Sequence, residues 1–168
     1  MQAAEQAAIA AGVPSFNLME QAGIACAEAA VRLFPRGEAL VLCGPGNNGG
    51  DGYVAAKRLR ELGWAVRVMA LQPEGGLKGD AARAAAEWGG PVEPFNPEVI
   101  GKPRFIIDAL YGAGLNRPLD GPVVALIEKV VAAGLPVLAV DVPSGLPGDT
   151  GRPVRSEEHT SELQSHHP

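Results

Sequence analysis

Three polar, glycine-rich stretches hold most of the side chains that could do chemistry: "GPGNNGGDG" from Gly44, "DALYGAGLNRPLDG" from Asp108 and "DVPSGLPGDTG" from Asp141. In the first, Gly44, Gly46 and Gly49 have the spacing G-x-G-x-x-G, which lets backbone N–H groups approach an anion at a helix amino terminus. The pattern is short, and alone it is weak evidence. Asp51, in the same stretch, opposes it, because a carboxylate there repels a pyrophosphate laid on the loop. Asn47, Asn48 and Asp51, with a serine hydroxyl and loop carbonyls, make a hard oxygen set suited to a cation or to sugar hydroxyls. Capping of the following helix is the alternative role for Asp51. No G-K-[ST] follows, so the Walker pattern is absent.

Asp108 follows "FII" and Asp141 follows "VLAV". A carboxylate ending an apolar strand is partly desolvated and needs a partner, a cation or a donor. For Asp108 the alternative is bonding to neighbouring loop amides, with Gly112 and Gly114 bringing bare backbone to the same place. Asp141 can serve as a general acid or base if burial raises its affinity for a proton. Ser144 is a candidate cation ligand or turn former, since no histidine is at hand to make it a nucleophile. Arg117 could meet a phosphate or be a surface arginine without a role. Tyr53 and Tyr111, beside the loops, could stack on a ring, while Trp64, Trp88 and Phe105 read as packing residues.

All three histidines lie in the last fourteen residues, "RSEEHTSELQSHHP". That stretch is polar and lacks an apolar period, and Arg155 to Ser165 resembles a translated sequencing-library adapter, so residues 155–168 read as a non-native tail. Residues 1–154 then contain no histidine, which excludes a Ser-His-Asp triad, a Cys-His pair and a histidine zinc site within them. They carry 13 basic against 16 acidic residues. This balance argues against nucleic acid or an anionic membrane as partner. Cys26 and Cys43 match no metal spacing and read as reduced thiols, which fits a cytoplasmic protein. No leader opens the chain and no apolar run approaches the ~20 residues of a spanning helix.

From Ala39 to Val142 short apolar runs alternate with longer mixed segments, the pattern of an α/β domain with a parallel sheet and crossover helices. Strands are expected at Ala39–Cys43, Ala65–Leu71, Phe105–Asp108 and Val137–Val142, and helices at Tyr53–Leu62, Lys78–Trp88 and Pro122–Ala133. Ahead of them, Met1–Ala11 and Asn17–Leu33 read as Ala-rich helices that cap the sheet or pack at its edge. In such sheets ligands sit outside the carboxyl ends of the strands, so the three glycine-rich stretches are expected on one rim. A nicotinamide dehydrogenase also needs an acid after the second strand, where this chain has Leu71-Gln72-Pro73 and only an offset Glu74. That disfavours a Rossmann oxidoreductase or a methyltransferase; a non-catalytic nucleotide-binding or protein-interaction module is the other rival.

"LVLCGPGNNGGDGYVAAKRL", "IIDALYGAGLNRPLDGP" and "VLAVDVPSGLPGDTG" together closely resemble, in order and spacing, the NAD(P)H-hydrate epimerase family, the YjeF amino-terminal domain. The likeness covers residues 1–154 as one domain. It implies a Rossmann-like three-layer α/β/α fold with a mostly parallel sheet, truncated at its C-terminal strands where the adapter-like tail follows. It implies interconversion of the R and S forms of hydrated NADH or NADPH, a bound potassium ion, a homodimer and functional coupling to an ADP/ATP-dependent NAD(P)H-hydrate dehydratase. By the same resemblance Asn47, Asn48, Gly49, Gly50 and Asp51 bind substrate. Gly112, Ala113, Gly114, Leu115, Asn116, Arg117 and Pro118 hold its phosphates. Asn48, Asp108 and Ser144 ligate potassium. Asp141 contacts the substrate and is expected to be the acid/base.

Overall fold

The computed structural model describes residues 14–72, 74–111 and 121–140, with Ala7 and Gly12 ahead of them. Helix α1 (Ser15–Leu33) follows Pro14 and buries Phe16, Met19, Gly23, Ala27 and Ala30, a stripe at three- and four-residue spacing. It stops where Phe34 turns extended, its N–H on the Ala30 carbonyl and its ring stacked on Phe105 with centroids 4.7 Å apart.

Then come β1 (Glu38–Cys43), α2 (Asn47–Glu61), β2 (Ala65–Ala70), α3 (Gly79–Trp88), β3 (Glu93–Pro94), β4 (Phe105–Ala109), α4 (Gly121–Ala133) and β5 (Val137–Ala139). Gly89 and Gly134 follow α3 and α4 at φ +63° and +65°, the left-handed geometry that ends a helix and favours glycine. Among the described residues five strands, all parallel, run in the order β3-β2-β1-β4-β5. From β1 the chain steps one way through α2 to β2, and from β4 the other way through α4 to β5. Right-handed crossovers in opposite directions place those helices on opposite faces. The core divides accordingly: Ala39, Val41 and Cys43 of β1 pack with α1, α2 and α3, whereas Leu40 and Leu42 pack with α4. Strand order reverses between β1 and β4, the topological switch point of the sheet.

The expected strands are present to within a residue or so, except that Val137–Val142 is regular only to Ala139 and its last two residues lie outside the described residues. β3 went unexpected. It is two residues long, and Pro94 lacks an N–H, which only an edge strand tolerates. The first crossover helix begins at Asn47, not at the expected Tyr53. Most of the apparent glycine loop is therefore helix. Tertiary contact overrides the poor helix propensity of glycine, about 1 kcal/mol per residue. A Cβ at Gly49 would run into the Gly44 carbonyl, and one at Gly52 would lie 2.7 Å from the Ala109 Cβ and 2.9 Å from the Cys43 Sγ. Of the two placements expected of α1, capping the sheet or packing at its edge, the edge one is not seen: α1 lies alongside α2 on one face of the sheet.

On the α4 side of β2 and β3, residues 95–104 take the place of a crossover helix, with a single 3-10 turn at Pro97–Val99. Arg67 fastens them, donating to both oxygens of Glu93 at 2.8 Å and to the carbonyls of Val99 and Ile100 at 2.6 and 2.9 Å. The guanidinium holds the Glu93 carboxyl below the usual carboxylate range.

The seam between β1 and β4 allows a direct test. A Cβ at Gly44 would overlap the Leu110 carbonyl, whereas one at Gly46 meets nothing within 4 Å. Gly44→Ala is expected to cost about 1–3 kcal/mol in urea unfolding, the range for overpacking. Gly46→Ala is expected to stay within about 0.5 kcal/mol of the parent. Equal effects would contradict the seam.

Candidate functional site

The carboxyl ends of the strands are stitched together in backbone. Gly44 N–H donates to the Ala109 carbonyl at 2.9 Å, Leu71 N–H to the Cys43 carbonyl at 3.0 Å, and Val140 N–H to the Asp108 carbonyl at 3.1 Å. α2 starts directly above this edge. Its N-cap is Gly46, which offers no side-chain cap, so the leading N–H groups from Asn47 onward are presented to the crevice. Asn47 is exposed and Asn48 half-buried in this first turn, and Gly49 and Gly50 are buried beneath it.

Asp51 and Asp108 are the two buried charged side chains among the described residues, 5% and 3% exposed. Their neighbours Gly52 and Ala109 touch each other, so both carboxylates flank one point of the switch. They do so from opposite faces. Asp108 shares the α4 side of β4 with Ile106 and lines a cavity of about 10 Å³ with Leu42, Leu126 and Val130. Its Oδ1 accepts the Leu110 N–H at 3.2 Å, so the amide-bonding role weighed for it is present.

Asp51 lies on the other side, against α1. The capping role weighed for it is not realised, because it is the fifth residue of α2 and not its N-cap. That places it about 6 Å along the axis from Asn47. The carboxylate is thus set a full turn below the leading N–H groups, which removes much of the expected conflict with an anion there. Its neighbour on α1 is Cys26, whose thiol is pushed up to about 12 by burial and then by the Asp51 charge. Cys43 is fully buried, and burial pushes its thiol up as well. Both cysteines are free.

Tyr53 is 1% exposed in the core, which overturns stacking on a ligand. Tyr111 is half-buried against the α4-side core. Trp64, Trp88 and Phe105 are core residues as expected. Gly112, Ala113, Gly114, Leu115, Asn116, Arg117, Pro118, Asp141 and Ser144 lie outside the described residues. The chain leaves the described part at Tyr111 and Val140, both at this rim. Among the described residues no three His, Cys, Asp or Glu side chains cluster around a common point, and no helix is long and apolar enough to cross a membrane. Sequence reasoning missed the part played by α1, where Met19 lies over Gly50 and Cys26 stands near Asp51; only the apolar stripe of α1 hinted at it.

A doubly wound parallel sheet with a glycine-tight helix start and buried carboxylates at its switch point defines a protein of the doubly wound α/β class, whose ligands sit at that point. Residues 15–160 match the family described as YjeF-related protein N-terminus, and the chain belongs to that family. It is 45% identical over 149 residues to an NAD(P)H-hydrate epimerase of Achromobacter xylosoxidans, covering 83% of this chain and 71% of that protein. It is 39% identical to a bifunctional NAD(P)H-hydrate repair enzyme Nnr of Coxiella burnetii, covering 88% of this chain but 31% of that one. The crystal structure of the yeast protein ynu0 superposes with a TM-score of 0.69 at 28% identity, covering 86% of this chain and 67% of that one.

Burial first, and then the Asp51 charge, hold the Cys26 thiol in its protonated form. The raised thiol is largely protonated near neutral pH, so alkylation of the folded protein is expected to be slow and to quicken as pH rises. Asp51→Asn removes the charge that disfavours the thiolate and is expected to speed labelling of Cys26 but not of Cys43. Mass spectrometry of iodoacetamide time courses reads this directly; identical rates in the two proteins would place Asp51 elsewhere.

Proposed function

We propose that this chain is an epimerase that interconverts the R and S forms of hydrated NADH and NADPH. The observation that carries the reading is the switch-point seam, where the start of α2 is brought onto the ends of β1 and β4 beside Asp51 and Asp108. Membership of the family and the names of its relatives supply the substrate. The end of β2 favours this over dehydrogenase chemistry, since the chain continues Leu71-Gln72 with no carboxylate for a ribose.

Asn47, Asn48, Gly49, Gly50 and Asp51 bind the nucleotide at the helix start, and Gly112 to Pro118 hold its phosphates. Inverting a carbon that bears a hydroxyl consumes no electrons. It requires one bond at that carbon to open and to re-form from the opposite face, with a proton taken as the bond opens and returned as it closes, and Asp141 is the group assigned to that proton. A buried carboxylate at the end of an apolar strand fits a hard monovalent cation, and Asn48, Asp108 and Ser144 would hold a potassium ion there. Such an ion supplies positive charge that offsets the carboxylate beside an anionic nucleotide. We further propose a homodimer, a cytoplasmic location consistent with the free thiols, and functional coupling to an NAD(P)H-hydrate dehydratase. The bifunctional name of the Coxiella relative supports that coupling.

With R-enriched NADH hydrate, the protein is expected to bring the epimer ratio to equilibrium faster than the spontaneous rate, followed by chromatography. Asp141→Asn is expected to lower kcat by about 10²- to 10⁴-fold with substrate binding largely kept. Absence of acceleration by the parent would favour a non-catalytic nucleotide-binding or interaction module, and hydride transfer to a test substrate would favour an oxidoreductase. Potassium chloride is expected to raise the Tm above that in choline chloride at equal ionic strength, and Asp108→Asn to abolish the difference. An unchanged difference would remove Asp108 from the ligand set.

A further inference from the structure

α2 carries the substrate-binding turn on a poor helical sequence, with Gly49, Gly50 and Gly52 in its first six residues. Something outside that sequence must hold the turn in place. On one side Gly49 and Gly52 rest on the strand ends. On the other stands α1. A Cβ at Gly50 would lie 2.5 Å from Met19 Cε and 2.6 Å from its Sδ, with the Ala81 Cα of α3 at 3.2 Å. One helical turn further along α1, a Cβ at Gly23 would lie 2.7 Å from the Asp51 carbonyl oxygen and 2.5 Å from the Val54 Cβ. Met19 is 5% exposed and Gly23 is buried. The two therefore close over the residues on either side of the Gly50–Asp51 bond.

We infer that Met19 and Gly23 of α1 are positioning residues for the substrate, acting through Gly50 and Asp51 on the orientation of the Asn47–Asp51 turn. This rests on the reading of that turn as the nucleotide site. Met19 fills the space that Gly50 leaves open, and Gly23 lets α1 approach the Asp51 backbone closely enough to shut water out. Neither touches the substrate. Their effect is on binding and not on the proton transfer assigned to Asp141, because the turn holds the nucleotide while the acid/base comes from a different strand end.

The full chain tests this through two opposite perturbations. Met19→Ala opens a void above Gly50, and Gly23→Ala forces a methyl against Asp51 and Val54. Each is expected to raise KM for NADH hydrate, and Kd for NADPH by fluorescence titration, about tenfold, with kcat within about twofold. Met19→Leu, which preserves volume, is expected to restore both constants. Ala30→Gly, in the same buried stripe but remote from the turn, serves as the control. It is expected to lower Tm while leaving KM and Kd unchanged. Constants in Met19→Ala and Gly23→Ala that match the parent, or that shift equally in Ala30→Gly, would overturn the inference. A parent that binds NADPH without accelerating epimerisation would sink the proposed reaction alone, and the Kd series would still decide the role of α1. A parent that does not bind NADPH would overturn both.

Discussion

The close approach of backbone to backbone at the β1–β4 seam governs the rest of this molecule. Gly44 sits under the Leu110 carbonyl, and Gly49 in turn sits on Gly44. No side chain larger than hydrogen fits at either position, so the start of α2 is drawn down to the level of the strand ends. The helix thereby begins six residues earlier than its own sequence favours. The cost of glycine in a helix is local and about 1 kcal/mol per residue, and the packing it permits involves the sheet and two further helices. The arrangement also fixes where charge can reside. Asp51 is placed a turn inside α2 and Asp108 on the opposite face, so two carboxylates are buried near one point without facing each other across open space.

Much of this organisation is legible in the chain. Short apolar runs separated by amphipathic segments specify a parallel sheet, and Gly134 after an apolar helical run marks a helix end, where its φ is positive. Both carboxylates that prove buried were singled out by their setting, Asp108 behind "FII" and Asp51 within glycines. Other features were hidden for physical reasons. The true start of α2 depends on contacts with residues sixty positions away, which local propensity cannot register. β3 is too short to show a period and contains a proline. Tyr53 looks accessible beside a glycine loop only while that stretch is taken to be a loop; once it is helix, the ring faces the core. The role of α1 was equally hidden, because its apolar stripe signals burial without naming the surface it meets.

The two faces of the sheet are held in different ways. On the side of α1, α2 and α3, aromatic and aliphatic packing dominates, with Phe34, Phe105 and Trp64 in ring contact and Arg36 over Trp64, donating to the Gly63 carbonyl at 2.8 Å behind α2. On the other side, α4 covers β1, β4 and β5, but β2 and β3 are covered by an irregular segment. Lys129 of α4 reaches Glu98 of that segment at 2.8 Å. Apolar packing thus surrounds the helix that presents the candidate site, while the far edge adds polar clasps to the apolar seating of Phe95 and Ile100.

That difference makes the Arg67 fork an acid-labile hinge pin. The Glu93 carboxyl is held below its ordinary range, so the clasp contributes fully above that range and is lost as pH falls through the lowered value. Protonation of Glu93 would remove its paired bonds to Arg67 and loosen the β2–β3 border, while the Arg67 bonds to the Val99 and Ile100 carbonyls persist. The acid-sensitive contact therefore sits at the β3 border, two strands away from the seam that carries the candidate site.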